Sequence, residues 1–257
     1  MSHIGTILSR RQILAEKSIK GPKMETQNGD TQAPQSTKEE SSESPFKEAY
    51  SLLNQGRLED AIQFLEEKAP CWEQANLLGC CYAMRMDFSK AEDAFFEALH
   101  QDLENSETMY NLAFLYNEFF QPYKAKKYLE MYFRHKQYDA ADLYFYALVL
   151  LELDLHNEAY EVLKKSYKMN STDVFVISNL AIIILDKKMR PRVALRLLKK
   201  AASINPGEPE VLFRLAGIAW ELGEELTYFD AKKTLQLIDP EMCAKLDEEI
   251  GMQRLQG

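Results

Sequence analysis

The 257-residue sequence is poor in the residues that build sheets and sharp loops. It has 10 Gly and 9 Pro, and β-branched runs are scarce outside 174–193. Strands draw on such runs and tight turns on such breakers, so a sheet-rich fold is excluded and an all-α chain, dominated by Ala, Leu, Glu and Lys, is expected. A surplus of positive charge is also missing. Against 31 Lys and Arg stand 40 Asp and Glu, a net charge of −9, which repels phosphate backbones and anionic membrane surfaces; no nucleic-acid partner is expected. No run is long enough to cross a bilayer. The most apolar stretch, Val174 to Leu185, is 12 residues long with Ser178 and Asn179 inside it, against roughly 20 needed, so no stable membrane insertion is expected. In "LYFYALVLLELDL", Glu152 and Asp154 point instead to a helix buried on two sides.

Chemistry-bearing patterns are absent too. Cys71, Cys80, Cys81 and Cys243 form no Cys-x-x-Cys pair, and Cys80 and Cys81 are neighbours whose side chains diverge on a helix, so they read as free thiols in a reducing, cytoplasmic setting. His3, His100, His135 and His156 have no second ligand at metal-binding spacing, and there is no phosphate-cradling or dinucleotide-binding glycine motif. The acidic pairs Glu66-Glu67 and Glu224-Glu225 read as solvated helix faces. No catalytic residue, metal or cofactor is therefore expected, and the chain is not read as an enzyme.

What is present divides the chain. Residues 21–44, "GPKMETQNGDTQAPQSTKEESSES", hold only Met24 and Ala33 as apolar side chains, too few to offset the entropy of ordering, and 1–44 is expected to be a disordered arm and linker. Within it, Ile4, Ile7, Leu8, Leu14 and Ala15 fall near helical spacing beside Arg10, Arg11, Lys17 and Lys20, with Arg11 interrupting the apolar side. That pattern suits an unstructured tail, or a short basic segment that targets an organelle or touches a membrane.

From Pro45 onward small residues recur on a schedule. Ala49, Gly79, Ala113, Ala147, Ala181 and Ala216 are spaced 30, 34, 34, 34 and 35; Ala61, Ala91, Ala125, Ala159 and Ala194 are spaced 30, 34, 34 and 35. Ala and Gly make up 34 of the 257 residues, so one register this full is an internal repeat rather than chance. A two-helix unit of that length cannot bury its own apolar face; neighbours must stack, with small residues where helix axes approach most closely. The residues Leu78, Gly79, Tyr82, Ala91, Phe95 and Ala98, then Leu112, Ala113, Tyr116, Ala125 and Leu129, then Ala194, Leu198, Ala201 and Pro206 resemble the tetratricopeptide repeat family. Six units over 45–240 are expected, near 45–70, 71–104, 105–138, 139–172, 173–207 and 208–240, with 241–257 as a C-terminal cap helix carrying Met242, Leu246 and Ile250. Three departures stand out: the first unit is four residues short before Cys71, the fifth has one extra near Pro191, and the sixth has Tyr228 where Ala is expected. Gly56 and Gly223 fall between paired helices, where a turn at positive φ suits glycine.

The helical wheel then separates two stripes on each first helix. Residues four before, one before and three after the small residue, such as Leu143, Tyr146 and Leu150, are expected inside the stack. Residues three before, one after and four after form a second stripe, which the resemblance assigns to the inner, concave surface. It reads Phe46, Tyr50, Leu53; Asn76, Cys80, Ala83; Tyr110, Phe114, Asn117; Tyr144, Leu148, Leu151; Ser178, Ile182, Leu185; and Phe213, Gly217, Trp220. Its apolar side chains imply a partner-binding groove lined by Tyr110, Phe114, Asn117, Tyr144, Leu148, Leu151, Ile182, Leu185, Phe213 and Trp220, suited to an apolar peptide or amphipathic helix. Family members that clamp a terminal carboxylate use Lys, Arg and Asn, and only Asn111, Asn179 and Arg214 approach that set here. The resemblance implies a non-catalytic interaction scaffold or chaperone-like adaptor. Alternatives are a type III secretion chaperone-like protein, a regulatory subunit and, against the acidic charge, an RNA-binding helical repeat. The groove is open to three occupants: a partner protein, the chain's own side chains or cap, or a second copy in a homodimer.

Overall fold

The computed structural model describes residues 45–135, 138–188 and 190–256; the arm expected over 1–44 lies outside them. Among the described residues there are thirteen α-helices and no strands. They fall into two compact units divided between Lys136 and Gln137. The first holds α1 (Lys47–Asn54), α2 (Leu58–Glu66), α3 (Trp72–Met84), α4 (Phe88–Gln101), α5 (Ser106–Glu118) and α6 (Pro122–His135). The second holds α7 (Ala140–Glu152), α8 (His156–Met169), α9 (Val174–Lys188), α10 (Pro191–Ile204), α11 (Pro209–Glu221), α12 (Glu225–Ile238) and α13 (Pro240–Gln256). Each unit stacks three helical hairpins in the solenoid manner, and α13 lies against α11 and α12.

The small residues sit where axes meet. Ala49, Ala113, Ala147, Ala181 and Ala216 on the first helices, and Ala61, Ala91, Ala125, Ala159 and Ala194 on the second, are wholly without solvent exposure. Four residues after each second-helix alanine a large side chain closes the contact: Leu65, Phe95, Leu129, Leu163 and Leu198, all at most 1% exposed. Gly79 is the extreme case. A Cβ there would meet the Phe95 ring at 2.5 Å, closer than carbon atoms approach, so the largest closing side chain faces the smallest partner. In the sixth hairpin Tyr228 takes the alanine's place and is still buried, packed on Trp220 at 5.2 Å between ring centres.

Every described hairpin turn has one geometry. The residue five before the second-helix small site has positive φ: Gly56, Met86, Phe120, Asp154 and Gly223. Behind each, a backbone N–H reaches back to close the helix end: Arg57 to Leu52, Asp87 to Tyr82, Gln121 to Tyr116, Leu155 to Leu150 and Glu224 to Ala219, at 2.8–2.9 Å. This is the Schellman closure. Helix starts carry acceptor caps: Asp87, Asn105 and the Asp139–Asp142 capping box hold the first turns of α4, α5 and α7. The extra residue of the fifth hairpin lengthens α9 to 15 residues, against 13 for α3, α5, α7 and α11.

Burial of the first helices is wider than one stripe. Two residues after five of the six small sites, Cys81, Leu115, Val149, Ile183 and Ile218 are also buried, whereas Ser51 after Ala49 is exposed. The cause is position: α3, α5, α9 and α11 each pack on the second helix of their own hairpin and on that of the hairpin before, so opposite sides of one helix are covered. The helix at 140–152 has Leu143, Phe145, Val149 and Leu150 all covered. In α13 the buried stripe is Cys243, Leu246 and Ile250, with Met242 only partly covered.

All four cysteines are free thiols. Burial, with the neighbouring Cys81 thiol and Glu107 adding to it, pushes Cys80 up, and burial pushes Cys81 up to about 12. Neither is a nucleophile near neutral pH.

Candidate binding face

The ten proposed groove residues lie on α5 in the first unit and on α7, α9 and α11 in the second. In the first unit Tyr110 is 6% exposed and packs on Tyr132 at 5.3 Å between ring centres, Asn117 is 9% exposed, and Phe114 between them is half-buried. The Oδ1 of Asn117 is buried without a hydrogen-bond partner. In the second unit Leu148 is 5% exposed, whereas Tyr144, Leu151, Ile182, Leu185, Phe213 and Trp220 are half-buried. The half-buried members pack their bases on core residues: Tyr144 and Leu151 against the cluster around Ala147, and Leu185, Phe213 and Trp220 against the cluster around Ala216. Seven of the ten thus keep accessible apolar area; Tyr110, Asn117 and Leu148 are covered by the fold itself.

The same faces carry polar rungs that tie neighbouring first helices together. In the first unit Asn111 Nδ2 donates to Asn76 Oδ1 at 3.0 Å, and Asn76 Nδ2 donates to Glu107 Oε1 at 3.1 Å. In the second, Asn179 Nδ2 donates to the Tyr144 hydroxyl at 3.1 Å, and Arg214 donates to Ser178 Oγ at 3.0 Å while pairing with Glu210 at 2.7 Å. Asn111, Asn179 and Arg214, the residues nearest to a carboxylate clamp, are therefore engaged between hairpins. The apolar side chains of this wall thus stand beside hydrogen-bonded polar rungs.

Burial, then the Glu107 and Glu73 carboxylates, push the Tyr50 phenol up. Outside the stripe, Tyr82 donates its hydroxyl to Glu66 at 2.9 Å and Tyr116 to Glu92 at 2.6 Å, each joining a first helix to the preceding hairpin's second helix. Among the described residues no cluster of His, Cys, Asp and Glu could hold a metal ion, and no helix is long and apolar enough to cross a membrane.

An all-α architecture of stacked hairpins, with alanine and glycine at the close contacts and a Schellman turn in each described hairpin, defines the class. Its fold is that of the tetratricopeptide-repeat proteins. No protein-family model matches the sequence, and no curated protein matches it. Solved structures do. PilF of Pseudomonas aeruginosa superposes with a TM-score of 0.70 at 17% identity, covering 79% of this chain and 95% of PilF. PilW, a widely conserved type IV pilus biogenesis factor, gives 0.65 at 16% identity, covering 78% and 96%. YrrB, a TPR protein with an unusual peptide-binding site, gives 0.58 at 15% identity, covering 74% and 97%.

Proposed function

We propose that the chain is a non-catalytic protein-interaction scaffold that holds an apolar or amphipathic segment of a partner on the inner faces of its hairpins. The observation that carries this reading is the row of half-buried aromatic and aliphatic side chains: Phe114 in the first unit, and Tyr144, Leu151, Ile182, Leu185, Phe213 and Trp220 in the second. Each is held on a helix and keeps part of its surface accessible, and a rigid apolar surface gains binding energy with little ordering cost. The likeness in fold to YrrB, a TPR protein with an unusual peptide-binding site, supports the same use. The hydrogen-bonded rungs at Asn76–Asn111 and Asn179–Tyr144 hold neighbouring first helices, and so the apolar side chains they carry, in fixed positions.

The test is affinity capture from cell extract with the full chain and with two variants, Phe114→Glu and Ile182→Glu. Both positions are half-buried, so the helical circular dichroism and melting midpoint should change little. Capture should fall at least tenfold in one variant or both; capture equal to the parent in both would place the binding surface elsewhere. Leu148 is the wrong position to probe, because a charge at a covered site unfolds rather than blocks.

A further inference from the structure

The sixth hairpin leaves an apolar row on the outside of α12. Tyr228, Ala231 and Leu235 form the buried stripe of this 14-residue helix, and Tyr228 packs on Trp220 of α11. On the opposite side Leu226 is 83% exposed, Phe229 60% and Leu237 77%. The other second helices of the same unit are polar there: at the sites of Leu226 and Leu237, α8 has Asn157 and Lys168, and α10 has Arg192 and Ser203. One exposed leucine is ordinary on a protein surface, whereas three large apolar side chains on one side of one short helix mark an association surface.

The order of residues along that side specifies what covers it. Leu226, Asp230, Lys233 and Leu237 are spaced 4, 3 and 4, so they fall within about 60° of one another around the helix and form one seam about 16 Å long. Read from its other end the seam is Leu, Lys, Asp, Leu, which is its own charge complement. Two copies laid antiparallel about a two-fold axis therefore set Leu226 against Leu237 and Asp230 against Lys233, each pair twice, with Phe229 flanking the seam. Parallel copies would oppose Asp230 to Asp230 and Lys233 to Lys233, which repels. Both residues are exposed, and among the described residues their side chains enter no ion pair, so pairing across the seam breaks no existing bond. A single helix pair of this length buries less than the roughly 1,200 Å² of a standard interface. The association is accordingly weak, with a dissociation constant on the order of tens of micromolar; the leucines give it strength and the charges give it direction.

We propose that the outer side of α12 is a self-association face, on which a second copy of this chain packs antiparallel through Leu226, Phe229 and Leu237, with Asp230 and Lys233 fixing the register. The inference stands apart from partner binding, because the seam is on the side of α12 away from Tyr228 and from the inner-face residue Trp220 that Tyr228 covers. Where a partner binds the inner face, pairing presents two such faces in one particle and raises the effective concentration of the second.

The experiment is sedimentation velocity on the full chain over about 1–300 µM, a range that brackets the expected constant, with a reductant present to keep the free thiols from crosslinking. The weight-average mass should rise with concentration from 29.7 kDa toward twice that value. Asp230→Lys and Lys233→Asp, each at an exposed position and each checked for folding by circular dichroism, should weaken association at least tenfold by opposing like charges across the seam. An equimolar mixture of the two variants should recover it, and so should the chain carrying both changes, because every charge then faces its complement again. Leu226→Ala should weaken association at least fivefold. A chain that stays monomeric throughout leaves the face to some other partner and overturns the proposal. Association indifferent to the charge changes, a mixture that associates no better than either variant alone, or growth beyond a dimer would overturn it equally.

Discussion

The contact between Gly79 and Phe95 shows how the repeat tolerates variation: where the closing residue grows from Leu to Phe, the facing residue shrinks from Ala to Gly. An alanine in a helix interior is ordinarily favoured over glycine by about 0.5–1 kcal/mol, while overpacking a closed contact costs about 1–3 kcal/mol. With the added Cβ only 2.5 Å from the ring and Phe95 fully buried, the second effect is the larger. Gly79→Ala should therefore lower stability in urea denaturation by about 1–2 kcal/mol. In a Phe95→Leu background, which restores the Ala/Leu pairing of positions 113 and 129, the same change should be neutral or stabilising. A double-mutant cycle with no coupling would show that the two positions do not share a contact. The alanines were legible in the sequence because a fixed register of small residues has one physical use. The exchange of volume across the contact was not, since it needs the partner residue to be known.

At the scale of elements, each hairpin is closed by one left-handed residue, and only two of the five described are glycines. Gly56 and Gly223 announced their turns, whereas Met86, Phe120 and Asp154 at φ 57–64° did not, because nothing about those side chains signals that backbone. A non-glycine residue held there costs about 1–2 kcal/mol, and replacing it with glycine costs part of that again in unfolded-chain entropy. Phe120 is 72% exposed, so little packing is lost with its ring. Phe120→Gly should raise the thermal midpoint, by up to about 1 kcal/mol in free energy, and a lower midpoint would mean that the ring contributes more than the backbone strain removes. The candidate face was legible to a similar depth. A helical wheel finds which residues share a side, so Phe114, Ile182 and Trp220 were reached. It does not say which neighbouring helix crosses that side, so the burial of Tyr110 and Leu148, and the Asn111–Asn76–Glu107 rungs, were not.

Over the whole molecule the titrating groups are unevenly shared, and alkaline pH should act on one unit first. In the first unit the phenols of Tyr50, Tyr116 and Tyr128 and the thiol of Cys80 are pushed up, and Tyr82 and Cys81 rise to about 12, burial being the leading cause in each. In the second unit Cys243 is raised by burial, and Lys164 and Lys232 by hydrogen bonds to Glu161 and Asp247. A group whose pKa is raised on folding stabilises the fold fully below its unfolded pKa, and that stabilisation is lost as pH rises toward the folded value. The window therefore opens near pH 9 for the thiols and pH 10 for the phenols, whose ordinary values are 9.0 and 10.0, while the lysines contribute losses only above 10.5. Between pH 8 and about 10.2 the first unit should lose on the order of 1–3 kcal/mol, and the second less. The two tryptophans allow the comparison: Trp72 lies in the first unit and Trp220 in the second. Urea unfolding of Trp220→Phe, followed by Trp72 fluorescence, should show a midpoint drop on the order of 1 M across that range. Trp72→Phe, followed by Trp220, should show a smaller one. Equal drops would mean that the units unfold as one body or that the buried phenols and thiols carry no such linkage, and repeating the scan with Cys80→Ala and Tyr82→Phe separates these outcomes, because only linkage is abolished by removing the groups.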